Sequence, residues 1–388
     1  MEKKDNMKII VLGAGMIGRV IAYDLSLYSN FEEIIIADKD RETLESAERF
    51  LKNQEVSFDI LNADNKDDVK SKFENYDVAV SAIPYNYNYI LTEAAIETNT
   101  HFLDLGGNNT VVEKQRKLFK KAKENKVLVI PDCGLAPGLT SVIVRDVVEF
   151  FDYVEYVKIR VGGLPQKPTP PFNYQIVFSP NGLINEYVED ALVLDHGKIV
   201  QKESMTELEE IIFPKPFGKL EAFMTSGGCS TLPYSYKDKI GYLDYKTIRY
   251  PGHCEKIKTF LDLGLGSEKE ILIGNQKIIP RNILINLLLN NIPKTGKDVV
   301  LTKVFSKGLK DNKNVELDYT MIDYYEDKNE ITAMMRTTGY PVSIIAQMIE
   351  NGSISEYGVF GGEEIVPTNL FFDELKKRNI VIYKEIRE

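Results

Sequence analysis

The chain has 388 residues, a formal net charge of −10, 43% hydrophobic residues and 27% charged residues. That length supports two or three domains with sizeable cores, and an acidic balance without a basic block excludes nucleic acid and anionic membrane surfaces as expected partners. The three cysteines, Cys133, Cys229 and Cys254, and the three histidines are too few and too scattered for a disulfide framework or a metal site, so no metal is expected and a reducing cytoplasm fits best.

Residues 1 to 6 read as a short disordered lead with no signal-peptide pattern. No apolar run reaches the roughly 18 residues that a bilayer span needs. The first strand, around Ile9 to Leu12, runs straight into Gly13, Gly15 and Gly18 in G-x-G-x-x-G spacing. In that spacing the first glycine makes a tight turn, the second admits a pyrophosphate and the third lets helix and strand pack closely. The following helix buries Ile17, Val20, Ile21, Ala22 and Leu25, and its first residues, Met16 and Ile17, present backbone N–H groups to the phosphates. A second strand, Glu33 to Ala37, ends at Asp38, placed to bond the adenosine ribose hydroxyls and repel a 2′-phosphate. The expected cofactor is therefore NAD rather than NADP, although Lys39 and Arg41 lie close by.

Strand and helix then alternate, which predicts a parallel sheet covered on both faces. Helices are expected over 40 to 53, 67 to 73, 88 to 98 and 111 to 125, and strands over 56 to 61, 77 to 83, 101 to 105 and 127 to 130. The fourth strand delivers Ala82, Ile83 and Tyr85 to the nicotinamide side, and the fifth ends in Asp104 with Gly106 and Gly107 behind it. The sixth runs into the turn-rich Pro131 to Gly138 at the carboxyl edge, where open α/β sheets bind ligands.

After Thr140 the rhythm changes. A helix over 141 to 150, a strand over Tyr153 to Val161 and a proline-rich rim loop lead into β segments at 190 to 202, 210 to 213, 219 to 225, 244 to 249, 298 to 306 and 315 to 325, with helices at 253 to 263 and 280 to 290. Further helices at 341 to 351 and 371 to 378 precede a last strand at 380 to 383. The expected architecture is α/β: a Rossmann dinucleotide domain over 1–138, an α+β substrate and dimerisation domain with a mixed sheet over 139–338, and a segment 339–388 packing back on the first domain.

Hydride transfer is the cofactor's chemistry, so the protein must hold the substrate's charges, orient the donor carbon and manage a proton. Arg249, beside Pro251-Gly252, is placed to bind a carboxylate bidentately, or it forms an ordinary salt bridge. His253 is placed to pair with that carboxylate or shuttle a proton, or it is a helix-start residue bonded to backbone. Asp104 would hold an ammonium or act as base, or serve only as a turn residue, and Tyr85 would wall the nicotinamide pocket or serve only in packing. Cys133 reads as a packed pocket-lining thiol rather than a nucleophile, because hydride transfer from an amine needs no covalent thiol. Ser226 and Gly227 offer hydroxyl and backbone contacts to substrate or a tight turn, and Glu221, Glu186, Glu189 and Asp190 offer a cation site or a solvated face.

The sequence resembles the saccharopine dehydrogenase family, in particular its lysine 6-dehydrogenase branch. The resemblance rests on GAGMIG, DLGG, PDCGLAPG, VGGLP followed by PP, LEAFMTSGG, YKTIRYPGH and GGEEIVP, in matching order along nearly the whole chain. It implies an NAD(P)-dependent enzyme acting on a small amino-acid substrate, assembled as a homodimer or larger homo-oligomer. For that branch the implied reaction passes hydride from the ε-carbon of L-lysine to NAD; water then releases ammonia, and the allysine formed cyclises to a piperideine carboxylate. The alternative is a saccharopine or carboxynorspermidine-type dehydrogenase, which would use further basic residues such as Arg160, Arg281 and Arg336 for its added carboxylates. A more remote alternative is an inactive NAD-binding homo-oligomer.

Overall fold

The computed structural model describes residues 6–388, so the expected lead lies, apart from Asn6, outside the described residues. The first strands are β1 Lys8–Leu12, β2 Glu33–Asp38, β3 Ser57–Ile60, β4 Val78–Ser81, β5 His101–Asp104 and β6 Leu128–Ile130. Next come β7 Tyr153–Pro165, β8 Ala191–Asp195, β9 Lys198–Lys202, β10 Glu209–Phe213, β11 Gly218–Met224 and β12 Ile240–Arg249. The last are β13 Ile271–Ile273, β14 Gln276–Ile278, β15 Asp298–Lys310, β16 Lys313–Tyr324, β17 Gly358–Val359 and β18 Ile382–Arg387.

The chain divides into two compact units. The first holds residues up to Asp146, the short segment Ser230–Ser235 and residues Met335–Ile380. Its sheet is parallel throughout in the order β17-β6-β5-β4-β1-β2-β3, so the strand order reverses between β1 and β4. That reversal is the topological switch point at which doubly wound sheets take nucleotides. The strands are continuous apolar runs because both faces are covered; Ile10, Leu12, Ala79, Phe102 and Val129 pack with Phe73, Leu91 and Ile96 in one cluster. Full burial of Phe73 and Phe102 contributes ~1.5–3 kcal/mol each.

Local chemistry sets the helix starts. The Asp40 side chain accepts from the Glu42 N–H, Asn65 from Asp67 and Asp68, and Asn108 from Val111, each satisfying first-turn donors that have no partner inside the helix. The helix expected over 111 to 125 breaks into Asn109–Arg116 and Phe119–Glu124. The helix expected from Pro341 begins instead at Ala333 and runs to Glu350. Pro341 removes one N–H donor, and the turn survives because Val342, Ile344, Ile345 and Ala346 are buried around it.

The second unit contains Val147–Cys229, Tyr236–Met334 and Val381–Glu388. Its sheet has the path β10-β11-β12-β7-β15-β16-β18, with β8 pairing β12 and β9. Only β12 and β7 among these pairs run parallel, so the sheet is mixed. Several elements had no counterpart among those expected from the sequence, among them a helix and a hairpin of this unit. Helix Pro180–Val188 is capped by Ser179, and β13 with β14 forms a separate hairpin. The C-terminal segment also departs from expectation: residues to Ile380 cluster with the Rossmann unit, whereas β18 pairs with β16 in the mixed sheet. Among the described residues no helix is long and apolar enough to cross a membrane.

Candidate active site

The glycine loop follows β1. Gly13 has φ +97, and a Cβ there would meet the Ala82 carbonyl oxygen at 2.7 Å, so β1 and the end of β4 close on it directly. A Cβ on Gly18 would stand 1.7 Å from the Gly13 carbonyl oxygen, which is the close loop-to-helix packing expected of the third glycine. Gly15 differs: nothing lies within 4 Å of its Cβ position, and it caps helix Met16–Tyr28 without any side-chain hydrogen bond. The bare space over Gly15 and the uncapped N–H groups of Met16 and Ile17 fit a pyrophosphate.

Asp38 has two backbone partners. Its Oδ2 accepts from the Ala14 N–H at 2.8 Å and its Oδ1 from the Asp40 N–H at 2.9 Å, so the carboxylate fixes the loop. It also lines a cavity of about 220 Å³ with Gly13, Lys39, Asn62, Pro84 and Tyr87, where an adenosine fits over the switch point. Ile83 lines the same cavity, and Ala82 packs on Gly13 and Gly18.

At the ends of β5 and β6 the structure brings together Tyr85, Asp104, Gly106 and Cys133. The Tyr85 ring would lie 3.3 Å from a Cβ on Gly107. Asp104 is fully buried and has donors on both oxygens: Oδ1 accepts from the N–H groups of Gly106 at 2.7 Å and Asp132 at 3.3 Å, and Oδ2 from Gln115 Nε2 at 2.7 Å. Burial raises its pKa, and these donors oppose the shift. Asp104 thus braces the two strand ends through these three donors. The Cys133 thiol is fully buried, lies 3.2 Å from the Ile130 carbonyl, and is pushed well above the usual thiol range by burial, so it stays protonated.

The sequence reading passed over Asp132. It adopts φ +62, is 3% exposed, accepts from the Ser230 hydroxyl, and has Oδ1 against Gly106. Glu363, from the GGEEIVP stretch, is also buried and accepts from Ser235 Oγ at 2.7 Å. The DCG and GGEE stretches name these residues, but their convergence through the distant segment Ser230–Ser235 leaves no local periodic signal.

The second unit gathers Arg249, His253, Glu186 and Ser226. Arg249 is 3% exposed at the end of β12; Nε donates to the Tyr187 hydroxyl at 3.0 Å, Nη1 to the Ile248 carbonyl at 2.9 Å, and the guanidinium stands 4.9 Å over the Tyr174 ring. None of these partners is a carboxylate. By contrast Arg160 pairs with Asp244 and Glu209, Arg281 with Glu268 and Asn185, and Arg336 donates to the Arg378 carbonyl.

His253 opens helix His253–Asp262 and its ring is bonded to backbone. The ring is 1% exposed, with Nδ1 3.1 Å from the Phe172 carbonyl and Nε2 3.1 Å from the Tyr187 hydroxyl. The carbonyl can only accept, so Nδ1 carries the proton and Nε2 accepts from Tyr187. Burial, aided by the Arg249 charge, lowers the pKa to about 3, and His253 is a neutral spacer.

Glu221 is occupied as well, accepting from the N–H groups of Gly252 and Cys254 at 2.7 Å each and capping helix His253–Asp262. Glu186 is pushed up to about 7 by burial, with Arg249 pulling it back. Ser226 is tied to this helix end, its N–H donating to the Glu186 carbonyl at 2.9 Å, and Gly227, at φ +88, faces open space. A larger cavity of about 730 Å³ lies elsewhere in this unit, where Arg160, Asp244, Glu209 and Lys246 are engaged with one another.

Residues 9–130 match the family domain described as the saccharopine dehydrogenase NADP binding domain, and residues 134–381 match the saccharopine dehydrogenase C-terminal domain. The chain is 20% identical to alpha-aminoadipic semialdehyde synthase, mitochondrial, from Mus musculus, over 91% of this chain and 45% of that protein. It thus spans about half the length of the animal relatives it matches. A carboxyaminopropylagmatine dehydrogenase from Synechocystis is 21% identical over 93% of both chains. The fold is that of apo saccharopine dehydrogenase (L-Glu forming) from Saccharomyces cerevisiae, with TM-score 0.80, 17% identity, and coverage of 99% of this chain and 100% of that one. With both family domains matched in order along a glycine loop shaped for a nicotinamide dinucleotide, the chain belongs to the saccharopine dehydrogenase family.

Proposed function

We propose that the protein is an oxidoreductase that oxidises the amine-bearing ε-carbon of L-lysine with NAD, releasing ammonia and allysine. The observation that carries this reading is Arg249. A buried guanidinium is normally matched by a carboxylate; Arg249 hydrogen-bonds to a phenol and a carbonyl, and Glu186, a carboxyl group that acts on it, is itself pushed up to about 7 by burial. An amino acid's α-carboxylate would complete the guanidinium bidentately. The three other arginines that a substrate with three carboxylates would call upon, Arg160, Arg281 and Arg336, already have partners within the protein. That favours a substrate with one carboxylate over a saccharopine-like adduct.

When bound, the nicotinamide supplies the hydride acceptor. Gly13, Gly15 and Gly18 with the start of helix Met16–Tyr28 would hold the pyrophosphate, and Asp38 would meet the ribose hydroxyls. The negative charge of Asp38 supports NAD over NADP. Tyr187 orients Arg249 through its hydroxyl, and neutral His253 fixes Tyr187 in turn, so the guanidinium is held in one pose before substrate arrives.

The test is to incubate the purified protein with NAD or NADP and either L-lysine or saccharopine, following reduced cofactor and released ammonia. Reduction with L-lysine and NAD, accompanied by ammonia, supports the proposal. Reduction with saccharopine alone would replace it.

A further inference from the structure

Asp132 lies two residues past β6, in a left-handed conformation at φ +62. Its carboxyl group sits against the end of β5: a Cβ on Gly106 would stand 1.7 Å from Oδ1. Oδ2 accepts from the Ser230 hydroxyl, whereas Oδ1 is buried and has no hydrogen-bond partner. Asp104, equally buried and on the adjacent strand end, has donors on both oxygens. Two carboxyl groups in one place are thus placed in opposite conditions, one satisfied and one open, which is how a fold separates a structural acid from a reactive one.

A buried carboxyl oxygen without a partner is unfavourable, and more so when charged. Such a cost persists at a site where a ligand supplies what is missing. The carboxyl edge of a doubly wound sheet is where that ligand belongs, and the cover over Oδ1 is bare glycine backbone, Gly106 at φ +71 followed by Gly107 at φ +115. The groups acting on Asp132 are Asp104 and Glu363, which disfavour its charge, and Ser230 and Arg116, which favour it. Burial is the largest influence, and the group is pushed up to about 8, near the range in which a base works at neutral pH.

Resting on the amine-oxidation reading above, we infer that Asp132 accepts the proton released by the substrate ammonium, with Oδ1 as the receiving atom. The substrate arrives as R–CH2–NH3+, and the Asp132 carboxylate takes one N–H proton, leaving a neutral amine with its lone pair free. With a nicotinamide dinucleotide bound as oxidant, the C–H electron pair would leave as hydride to it and the nitrogen lone pair would form the C=N bond of an iminium ion. Asp132 is left as a carboxylic acid and returns its proton to water. Ser230 is a positioning residue: its hydroxyl stabilises the charged form of Asp132 from the other oxygen.

The test uses Asp132→Asn and Ser230→Ala in the full chain. With L-lysine and NAD, Asp132→Asn is expected to lower kcat by roughly 10²–10⁴-fold and to abolish the rise of kcat with pH. Ser230→Ala is expected to move that rise to higher pH. A readout without turnover comes from linkage. The folded-state pKa of Asp132 lies above its ordinary value of 3.8, so wild-type stability falls as pH rises from there to about 8, and Asp132→Asn lacks that slope. The melting-temperature difference, variant minus wild type, should therefore become steadily more positive as pH rises across that window. An unchanged kcat–pH profile in Asp132→Asn would overturn the inference. So would weakened NAD affinity with the pH rise intact, because Oδ1 would then serve the cofactor's carboxamide. Absence of turnover by the wild type with any amine would overturn the amine-oxidation reading, and the inference with it.

Discussion

The backbone N–H of Ala14 donates to Asp38 Oδ2 at 2.8 Å, tying the glycine loop to the end of β2. One side chain thus shapes the loop that would hold the pyrophosphate and faces the cavity that would hold the adenosine. Replacing Asp38 with Ala should weaken NAD binding by roughly tenfold or more, since hydrogen bonds to charged groups contribute about 1.5–3 kcal/mol. NADP binding should fall less, because a 2′-phosphate no longer meets a carboxylate. Calorimetric titration of both cofactors checks this; NAD affinity equal to wild type would remove Asp38 from the site.

Gly15 and Gly18 separate binding from folding. A methyl group on Gly15 enters open space, so Gly15→Ala should keep the wild-type melting temperature while dinucleotide affinity drops, because the methyl occupies the phosphate position. On Gly18 the same methyl would stand 1.7 Å from the Gly13 carbonyl oxygen, and the protein itself should be destabilised by a few kcal/mol, about 1–3 by analogy with overpacking. Thermal melts of the two apoproteins, followed by cofactor titration of Gly15→Ala, distinguish the effects.

His253 gives a pH prediction whose sign follows from its burial. Its folded pKa of about 3 lies below the ordinary 6.5, so the unfolded chain binds the extra proton first. Between those values wild-type stability should fall with falling pH. His253→Gln, which keeps polar atoms beside Tyr187 and Phe172 and does not titrate, should lack this component. Urea melts of both proteins across that range measure the difference, and parallel curves would show that His253 is charged in the folded state.

Much of the first unit is legible in the sequence because its elements are local. The apolar run Ile9 to Leu12, the glycine spacing and the position of Asp38 each act within a few residues of one another in the fold. Asp132 was not legible in the same way. Its character depends on Gly106 from β5 and on Ser230, 98 positions away, and no periodicity relates them. The surroundings of His253 were not legible for a similar reason: the Phe172 carbonyl that fixes its tautomer is 81 positions away, and only the assembled core takes the ring out of water. Arg249 was identified by residue type and setting, but that its partners are a phenol and a carbonyl, and not a carboxylate, is a property of the packed unit.

The reading of Arg249 as the group that recognises the substrate's α-carboxylate is tested most directly with cadaverine, which is lysine without that carboxylate. The measurement is kcat/KM for L-lysine and for cadaverine in the wild type and in Arg249→Ala. Truncating one side of a buried charge pair costs about 2–5 kcal/mol, so the wild type should favour lysine by roughly 30-fold or more and the variant should lose most of that preference. A variant that discriminates between the two amines as strongly as the wild type would contradict the account.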